Sequence, residues 1–352
     1  MSLAPKVRVL VVDDSAFARK VMREVLEADP RIEVVAIARD GLDALEKIAE
    51  LTPDVVTLDL VMPQLDGVGV LDAIRLLPSP PRVVVVTMSD ADSLLGVAAL
   101  QAGAFDVVHK PTALATDRLY ELGAELVAKV LLAARTPAGA LARRAALTPA
   151  PQAPPAGIAR RVQLEILLVG ASTGGPRAVT QLLRALPADF PVPVAVVVHM
   201  PAGYTEAFAS RLDRECALNV VEAKDGTTLR AGVAAIARAG IHMKMRREGQ
   251  GLAVALDIHP MAALHRPSVD ALFESAADVV GRNALGVVLT GMGSDGVEGA
   301  RALRAAGARV IVEHESTCVV YGMPRAIAEQ GLSEAQIPLH EMAAAIFMRL
   351  ST

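Results

Sequence analysis

The sequence has 352 residues, 53% of them hydrophobic, and a formal net charge of -4; it is long enough for two domains with separate cores. The small net charge, the absence of Trp and the 3% aromatic content argue against a nucleic-acid-binding surface of basic patches and stacked bases. Two cysteines, Cys216 and Cys318, exclude a disulfide framework or a zinc cluster. Since there is no signal-peptide pattern and no run of about 20 apolar residues, we expect a cytoplasmic protein without membrane insertion.

The first part of the sequence alternates strand-like apolar runs with helical patterns. The predicted strands are Val7–Val12, Ile32–Ala38, Val55–Leu60, Val83–Thr87 and Asp106–His109. The predicted helices that follow them are Ala16–Ala28, Leu42–Leu51, Val68–Leu77, Leu94–Ala102 and Asp117–Ala134. This alternation predicts an α/β domain with a doubly wound parallel sheet, which we place at residues 5–132.

Polar side chains stand where four of these strands end. They are Asp13 and Asp14, Asp59, Thr87 and Lys110. Ligands bind at the carboxyl ends of the strands in a doubly wound sheet, so these side chains should converge on one pocket. Three carboxylates together repel one another unless a hard cation lies among them, and Mg²⁺ suits such oxygen ligands. A lysine and a hydroxyl beside them would hold phosphoryl oxygens, which indicates phosphoryl transfer onto a carboxylate.

The segments "VVDDSAFAR", "LDLVMPQLDG", "VVVVTM" and "GAFDVVHKP" resemble a response-regulator receiver domain, which has a flavodoxin-like fold. The resemblance implies that Asp59 is the phosphoacceptor and takes its phosphoryl group from a histidine kinase. It also implies a Mg²⁺ site and two residues that sense the phosphoryl group. The implied Mg²⁺ ligands are Asp13, Asp14, Asp59 and the backbone carbonyl of Val61, and the implied sensing residues are Thr87 and Lys110.

The composition changes abruptly after this domain. Between Ala133 and Arg161 there are five prolines, five arginines and no acidic residue. Such a segment is semi-extended and packs poorly, so we predict a Pro/Ala/Arg-rich linker at residues 133–163.

Alternation resumes in residues 164–352, for which we predict a second doubly wound domain with a Rossmann-like parallel sheet. The predicted strands are Ile166–Val169, Val194–Val198, Leu285–Thr290 and Arg309–Val312. The predicted helices are Arg177–Leu186, Tyr204–Arg214, Val269–Val280, Val297–Ala306 and Leu339–Leu350. Between Val220 and Ile258, short apolar runs broken by glycine predict hairpins.

The turn "GASTGGP", after the first of these strands, has two interpretations. A glycine-rich turn between a strand and a helix can cradle a phosphate, or it can present a nucleophile. The chain lacks both the Gly-Lys-Ser/Thr ending of a Walker motif and a complete G-x-G-x-x-G. The spacing Gly170-x-Ser172-x-Gly174 matches a nucleophile elbow. A serine in a lone glycine turn is more often structural, so the choice depends on further residues.

His199 and Asp295 supply the partners that a serine nucleophile needs. His199 ends a predicted strand in "AVVVHM", and Asp295 follows another in "GVVLTGMGSDG". These two residues and Ser172 all lie where the carboxyl ends of parallel strands gather. In a triad Ser172 attacks, His199 takes its proton, and Asp295 orients the imidazole. The set favours the nucleophile over the phosphate loop.

The order Ser, His, Asp differs from the Ser, Asp, His order of the usual α/β hydrolases. This order and the segments "GASTGGP", "HMPAGYTEAFASRLD", "HRPSVDALF", "LTGMGSDG" and "VVYGMPRA" resemble the chemotaxis protein-glutamate methylesterases, which are two-domain response regulators. The resemblance implies that the chain demethylates glutamate methyl esters on chemoreceptor cytoplasmic helices through an acyl-enzyme on Ser172, without a cofactor. Some members of the family also deamidate glutamines. Backbone N–H groups of Thr173 and Met292 are the candidate oxyanion donors.

The sequence departs from this resemblance just before His242. Related sequences tend to have Ala-Pro-Gly there, whereas this chain carries Arg238. We expect Arg238 to change a contact with the receptor or with the receiver domain, and His242 to be structural rather than catalytic. His265 and Arg266 are candidates for the rim of the cleft; entry into a helix capped by Ser268 is the alternative.

Two other functions would also make use of a receiver domain. A non-catalytic signalling adaptor would use the surface around Ser172 only to bind a partner, and the sequence leaves this alternative open. A DNA-binding response regulator is disfavoured because the chain has no basic helix-turn-helix. For the methylesterase, we expect the unphosphorylated receiver to cover the cleft around Ser172, and phosphorylation of Asp59 to open it.

Overall fold

The structure is a computed structural model that describes residues 5–87, 93–110, 116–136 and 163–350, and the side chains of all of these except residues 116–122. The chain divides into two compact units, residues 1–141 and 142–352. Most of the predicted linker, residues 137–162, lies outside the described residues.

The first unit is built on a parallel sheet of five strands, each followed by a helix. The strands are β1 (Val7–Val12), β2 (Ile32–Ala38), β3 (Val55–Leu58), β4 (Arg82–Thr87) and β5 (Asp106–His109). The helices are α1 (Ala16–Glu27), α2 (Gly41–Leu51), α3 (Gly67–Ile74), α4 (Ser93–Ala102) and α5 (Thr116–Arg135). The strand order β2-β1-β3-β4-β5, with every pair parallel, confirms the predicted doubly wound, flavodoxin-like sheet.

Local side-chain hydrogen bonds set several element ends in this unit. Strand β3 ends at Leu58, before the predicted end at Leu60. The Leu60 N–H donates to Oδ1 of Asp59 at 2.8 Å instead of to a neighbouring strand. Three helices begin at side chains that accept a backbone N–H of the first turn. These caps are Ser15 for α1, Asp40 for α2 and Asp66 for α3.

Helix α5 continues to Arg135, so the first residues of the predicted linker are helical. The guanidinium of Arg82 donates to the Thr136 carbonyl through Nη2 at 3.1 Å and Nε at 3.3 Å. A cation at a helix C-terminus satisfies a terminal carbonyl and favours the helix dipole. This contact with a distant residue supports the helix past residue 133, where composition alone places the start of the linker.

The second unit contains a parallel sheet of seven strands and a smaller antiparallel sheet. Its strands are β6 (Ile166–Ala171), β7 (Val194–Val198), β8 (Asn219–Glu222), β9 (Thr228–Leu229), β10 (Val233–Ile236), β11 (His242–Glu248), β12 (Gly251–Asp257), β13 (Ala284–Val288), β14 (Arg309–Glu313) and β15 (Ala335–Ile337). Its helices are α6 (Gly175–Arg184), α7 (Tyr204–Glu215), α8 (Val269–Val279), α9 (Val297–Ala305), α10 (Met323–Glu329) and α11 (Leu339–Arg349), with a short 3₁₀ helix at Gly281–Asn283. The order β15-β14-β13-β6-β7-β10-β8, all parallel, confirms the second doubly wound sheet.

The prediction of hairpins between Val220 and Ile258 is correct for only part of that segment. Strands β11 and β12 form an antiparallel hairpin, and β9 pairs with β12. Strands β8 and β10, however, are parallel members of the main sheet. Short apolar runs broken by glycine look alike in both settings, and the pairing of β10 with the distant β7 decides between them.

The chain order of the main sheet creates a crevice beside β6. After β6 the chain moves to β7 on one side, and it later returns to β13 on the other side. The Leu289 N–H donates to the Gly170 carbonyl at 2.9 Å, and the Ser172 N–H to the Thr290 carbonyl at 3.0 Å, so the two chains stay together past the strand ends. Ligands bind at such a reversal of strand order, and Ser172 lies at it.

Both sheets are buried by aliphatic side chains. Residues 9–12 of β1 and all of β7 are fully buried, as strands covered by helices on both faces require. Among the helices of the described residues, none combines the length and the apolar character needed to cross a lipid bilayer.

Candidate active site and phosphoacceptor site

Three carboxylates meet at the carboxyl edge of the first sheet. Asp13 and Asp14 follow β1, Asp59 follows β3, and one oxygen of each lies within 4.8 Å of the others. The Nζ of Lys110, which follows β5, contacts Oδ2 of Asp13 and lies 2.8 Å from Oδ2 of Asp59. Asp14 is exposed, and the other three side chains are buried. The structure therefore brings together four residues predicted for this site.

The buried cluster has more carboxylate than cationic charge. Burial raises the pKa of Asp59 above its ordinary value; Lys110 opposes this rise and Asp13 adds to it. One ammonium group faces two buried carboxylates and a third at the surface, and this excess of oxygen donors fits a hard divalent cation such as Mg²⁺. Thr87 is fully buried at the end of β4, and its carbonyl accepts the Lys110 N–H at 2.8 Å. Val61, in the loop after β3, is exposed.

Ser172 lies in the tight turn between β6 and α6. Its N–H donates to the Thr290 carbonyl, and its own carbonyl accepts the Gly175 N–H at 2.6 Å. Gly174 has a φ of 76°, a left-handed conformation that glycine adopts without steric cost. Because the turn leads directly into α6, Ser172 lies next to a helix N-terminus, whose partial positive charge favours a developing anion.

The register of two neighbouring strands places His199 beside Ser172. Ala171 of β6 pairs with Val198 of β7, so the two residues that follow them lie at the same level of the sheet. The His199 N–H donates to the Ala171 carbonyl at 3.1 Å. The Nε2 of His199 lies 2.7 Å from Oδ2 of Asp295, and each of the two side chains is 9% exposed. The three residues predicted as a triad therefore lie together at one edge of the sheet.

The contact with Asp295 assigns a role to each imidazole nitrogen of His199. A carboxylate only accepts hydrogen bonds, so a neutral His199 carries its proton on Nε2 and offers Nδ1 as the base. Nδ1 is buried and has no hydrogen-bond partner within the described residues. No hydrogen bond from the Ser172 hydroxyl reaches it either, and catalytic pairs without bound substrate are often this open. His199 thus has an unused acceptor nitrogen and lies in register with the serine.

Asp295 is held by four donors at the start of α8. They are Nε2 of His199 at 2.7 Å, the hydroxyl of Ser268 at 2.8 Å, and the N–H groups of Val269 at 2.7 Å and Asp270 at 3.1 Å. Burial by itself would raise the pKa of Asp295. The hydrogen bond from His199 and those from the two amides outweigh burial and hold that pKa well below its ordinary range. Asp295 is therefore ionised and fixed in orientation.

The neighbouring carboxyl group of Asp270 shifts in the opposite direction. Burial raises the pKa of Asp270 to about 7; the Gly299 N–H, 2.7 Å from Oδ1, opposes the rise, and the charge of Asp295 adds to it. The first turn of α8 thus contacts one ionised carboxylate and contains a second that titrates near neutral pH.

His265 lies against the imidazole of His199. The ring centroids are 4.1 Å apart and the ring planes differ by 23°. Ser268, three residues later, caps α8 by accepting the Ala271 N–H. The "HRPSVD" segment therefore enters a helix, and it also brings the His265 ring to His199.

A buried hydrogen-bond network, which the sequence did not predict, supports the turn that carries Ser172. The Thr290 hydroxyl accepts the Val320 N–H at 2.9 Å and reaches the Thr173 carbonyl at 3.0 Å. The Thr290 N–H donates to Oε2 of Glu313, which is fully buried, at 2.8 Å. An acidic residue closing the apolar strand "RVIVE" was the available sequence signal. Nothing in the sequence near Thr290 indicated its link to the turn.

The two candidate oxyanion donors flank Ser172. Thr173 is the next residue of the turn. Gly291 packs against the serine so closely that a Cβ there would lie 2.8 Å from the Cβ of Ser172. The N–H of the following residue, Met292, makes no hydrogen bond within the part of the chain that the structure describes. The Met292 amide is thus available next to the serine.

Both units match known families. A family model described as CheB methylesterase matches residues 167–346, and one described as response regulator receiver domain matches residues 9–121. The protein-glutamate methylesterase/protein-glutamine glutaminase 5 of Myxococcus xanthus is 57% identical over 98% of each chain. A protein-glutamate methylesterase/protein-glutamine glutaminase of Symbiobacterium thermophilum is 46% identical over 97% of this chain and 96% of its own. The crystal structure of the Thermotoga maritima CheB methylesterase catalytic domain covers 53% of this chain and 98% of its own, with 36% identity and a TM-score of 0.51.

Proposed function

The chain belongs to the CheB methylesterase family, and from this premise we propose that it hydrolyses glutamate methyl esters on the cytoplasmic helices of chemoreceptors. It is a carboxylic ester hydrolase with a receiver domain ahead of the catalytic unit. One observation carries the proposal: the hydrogen-bonded His199–Asp295 pair leaves the buried Nδ1 of His199 unused, in register with Ser172. The substrate helices place the reaction in the cytoplasm.

The proposed reaction begins with attack of the Ser172 Oγ on the ester carbonyl carbon, while Nδ1 of His199 takes the hydroxyl proton. The carbonyl oxygen becomes an oxyanion, which the N–H groups of Met292 and Thr173 bind; loss of one such donor costs about 10²–10³ in rate. The bond to the methoxy oxygen then breaks, and His199 returns the proton so that methanol leaves. Water attacks the acyl-enzyme in the same way and releases the glutamate carboxylate and Ser172.

Asp295 supports both steps without exchanging a proton. Its four donors keep it ionised and prevent its rotation. It holds the proton of His199 on Nε2, and it stabilises the imidazolium that forms when Nδ1 is protonated. The oriented carboxylate therefore acts when charge develops on His199.

The same residues account for a second activity on glutamine side chains, the one named for the curated relatives. An amide carbonyl forms the same acyl-enzyme with Ser172, but the leaving group is ammonia. His199 must then protonate the amide nitrogen before the C–N bond breaks. We expect glutamine to react more slowly than the methyl ester because the amide nitrogen leaves less readily than the methoxy oxygen.

The receiver domain would control this activity through phosphorylation of Asp59 by a histidine kinase. Asp13, Asp14, Asp59 and the carbonyl of Val61 would hold Mg²⁺, which when bound neutralises charge on the phosphoryl oxygens. Lys110 now contacts Asp59, and after phosphorylation its ammonium would contact a phosphoryl oxygen. The Thr87 hydroxyl would accompany it, and the altered contacts at β4 and β5 would raise the activity of the second unit.

Methanol release from tritium-methylated receptor membranes tests the proposal. Wild type and Ser172→Ala are each compared with and without a small phosphodonor and Mg²⁺. We expect release that rises with the phosphodonor in wild type and is lost in Ser172→Ala. Release by neither protein, with receptors methylated by the matching methyltransferase, would contradict the proposed esterase activity and favour the signalling adaptor.

The control of the second unit by the first has its own test. Cleavage within residues 150–157 should raise the unphosphorylated rate if the receiver inhibits the esterase. A cleaved chain no faster than the intact, unphosphorylated chain would contradict inhibition by the receiver.

A further inference from the structure

Exposed apolar side chains of the second unit concentrate in one loop. The described part of this unit exposes four large hydrophobic side chains, and three of them lie in residues 258–266, which we name the rim loop. Ile258 is 49% exposed, Met261 56% and Leu264 90%; the fourth, Met348 in α11, is 66% exposed. A single exposed hydrophobic residue needs no explanation. Three within seven residues form a patch of the kind that marks an interaction site.

The rim loop is held in place from beneath. The ring of His242, fully buried, accepts the Ser268 N–H at Nδ1 (3.2 Å) and faces the Pro260 carbonyl with Nε2 (3.3 Å). Burial lowers the pKa of His242, and the neutral ring suits both contacts, since one nitrogen accepts and the other donates. The guanidinium of Arg266 donates to the Met261 carbonyl at 3.3 Å. Polar contacts thus hold the loop at Pro260 and Met261, while the side chains of Ile258, Met261 and Leu264 are exposed.

The rim loop is continuous with the proposed active site. His265, within the loop, stacks on His199. Ser268, two residues beyond the loop, donates to Asp295. Any chain that places an ester at Ser172 therefore passes close to the loop.

A cation lies at the same edge of the sheet. Arg238 follows β10, is exposed, and makes no hydrogen bond or ion pair with any other residue that the structure describes. Its turn is joined to the loop, because the Gly240 N–H donates to the Arg266 carbonyl at 2.9 Å. An apolar patch beside an unpaired cation complements a surface that carries apolar and acidic side chains together.

We infer that the rim loop and Arg238 bind the substrate protein on a helix face whose apolar side chains and carboxylates flank the methylated glutamate. This inference rests on the proposed function and adds the surface that selects which glutamates are demethylated. A lipid surface fits less well. Interfacial segments of proteins that bind anionic membranes are rich in Lys and Arg, whereas the rim loop contains one arginine, whose guanidinium is bonded within the loop.

The test compares two substrates with the full chain, activated by phosphodonor and Mg²⁺. One substrate is the methylated receptor in membranes, and the other is N-acetyl-glutamate γ-methyl ester α-amide, which is too small to reach the loop. In the double variant Met261→Ser/Leu264→Ser we expect kcat/KM for the receptor to fall by about tenfold or more, the loss of about 1.4 kcal/mol of binding. The small ester should react as in wild type, which also shows that the variant folds. Met348→Ser, a matched exposed methionine, should leave both rates unchanged.

Binding provides a second readout. In a Ser172→Ala background, co-sedimentation with receptor-containing vesicles is compared with receptor-free vesicles of the same lipids. We expect the rim-loop substitutions, and separately Arg238→Glu, to lower binding to receptor vesicles only. Equal loss of binding to receptor-free vesicles would make the loop a lipid contact and overturn the inference.

The kinetic test separates this inference from the proposed function. An active wild type whose two substrates are affected equally by the loop substitutions, or not at all, would overturn the inference alone. Methanol release from neither substrate by wild type would overturn the proposed function and the inference with it.

Discussion

Two aspartates, Asp59 and Asp295, lie at the carboxyl edges of parallel sheets, yet their pKa values shift in opposite directions. Asp59 shares its pocket with two other carboxylates and one lysine, and its pKa is raised, chiefly by burial. For Asp295 the effect of burial is outweighed by His199 and by two amides at a helix N-terminus, and its pKa is lowered. The donors around a strand-end carboxylate therefore decide its use. The carboxylates around Asp59 outnumber the one lysine, which suits an added cation, whereas Asp295 is held in its ionised form against His199.

The largest expected effect comes from removing the charge of Asp295. In Asp295→Asn the amide group would donate to Nε2 of His199, which moves the imidazole proton to Nδ1 and blocks the base. We expect kcat for methanol release to fall by about 10⁴, as for the equivalent change in serine proteases, with KM little changed. Asp225→Asn is the control, because Asp225 also accepts a backbone N–H, from Leu256, but lies outside the site. A loss smaller than about tenfold would mean that Asp295 does not orient His199.

The second expected effect is on the stability of the receiver. The positive charge beside Asp59 comes from Lys110, whereas the positive charge beside Asp295 comes from a helix N-terminus. Lys110→Met leaves Asp13 and Asp59 buried without a counter-ion, and breaking a buried pair in this way costs about 3–5 kcal/mol. Mg²⁺ should recover part of this loss, since a cation among the three carboxylates supplies the missing charge. The measurement is amide hydrogen exchange of β1 and β3, with and without Mg²⁺.

Lys129→Met is the matched control for this measurement. Lys129 is also a buried lysine, paired with Asp106 and Glu125 away from the cluster. Its loss should destabilise the receiver equally with and without Mg²⁺. If Lys110→Met behaved in the same way, the cluster would not be a cation site.

The sequence predicted the strands and the strand-end polar residues because both are local signals. Runs of Val and Leu mark buried parallel strands, and a strand end is visible from the run that precedes it, as for Asp59 and His199. Sequence predicted long-range partners where strand ends gather them, as for His199 and Asp295, but it did not predict the other contacts across the fold. The contact of Ser268 with Asp295 depends on packing of α8 beside the β13 loop, and the parallel pairing of β8 with β10 depends on the distant β7. These contacts join residues far apart in the chain, and no local pattern encodes them.

A third, smaller effect should follow from the hydrogen bonds of Thr290, which hold the turn that carries Ser172. Thr290→Val removes a hydroxyl that binds the Val320 N–H and the Thr173 carbonyl. A buried N–H left without its partner costs about 1–3 kcal/mol. We expect kcat to fall with KM unchanged, because the turn that carries Ser172 loses a support but the substrate surface is intact.

Two further variants separate this role from general destabilisation. Thr290→Ser keeps the hydroxyl and should restore kcat. Thr180→Val removes a buried hydroxyl that donates to the Pro176 carbonyl within α6, and it should leave kcat unchanged. Equal kcat values for Thr290→Val and wild type would show that the turn is held without Thr290.

The smallest expected effect concerns Asp270. Its pKa is raised, whereas the pKa of the neighbouring Asp295 is lowered. Between the ordinary pKa of an aspartate, near 4, and the folded-state value of about 7, the folded state binds more protons than the unfolded state. The free energy of unfolding therefore falls as pH rises through this window. Partial exposure of the carboxyl to solvent weakens the effect, so we expect a loss of no more than about 2 kcal/mol by pH 8.

Asp270→Asn should remove this slope, because the amide oxygen still accepts the Gly299 N–H but cannot ionise beside Asp295. Amide hydrogen exchange of β6 and β13, followed from pH 5 to pH 8, reports the stability of the second unit. We expect wild type to lose protection beyond the intrinsic pH effect as pH rises, and Asp270→Asn to lose none. Asp278→Asn, on the exposed side of the same helix, should keep the wild-type slope. Identical slopes in wild type and Asp270→Asn would mean that Asp270 and Asp295 are both charged at the start of α8. The difference between this site and the carboxylates around Lys110 would then lie in the number of amide donors, not in protonation.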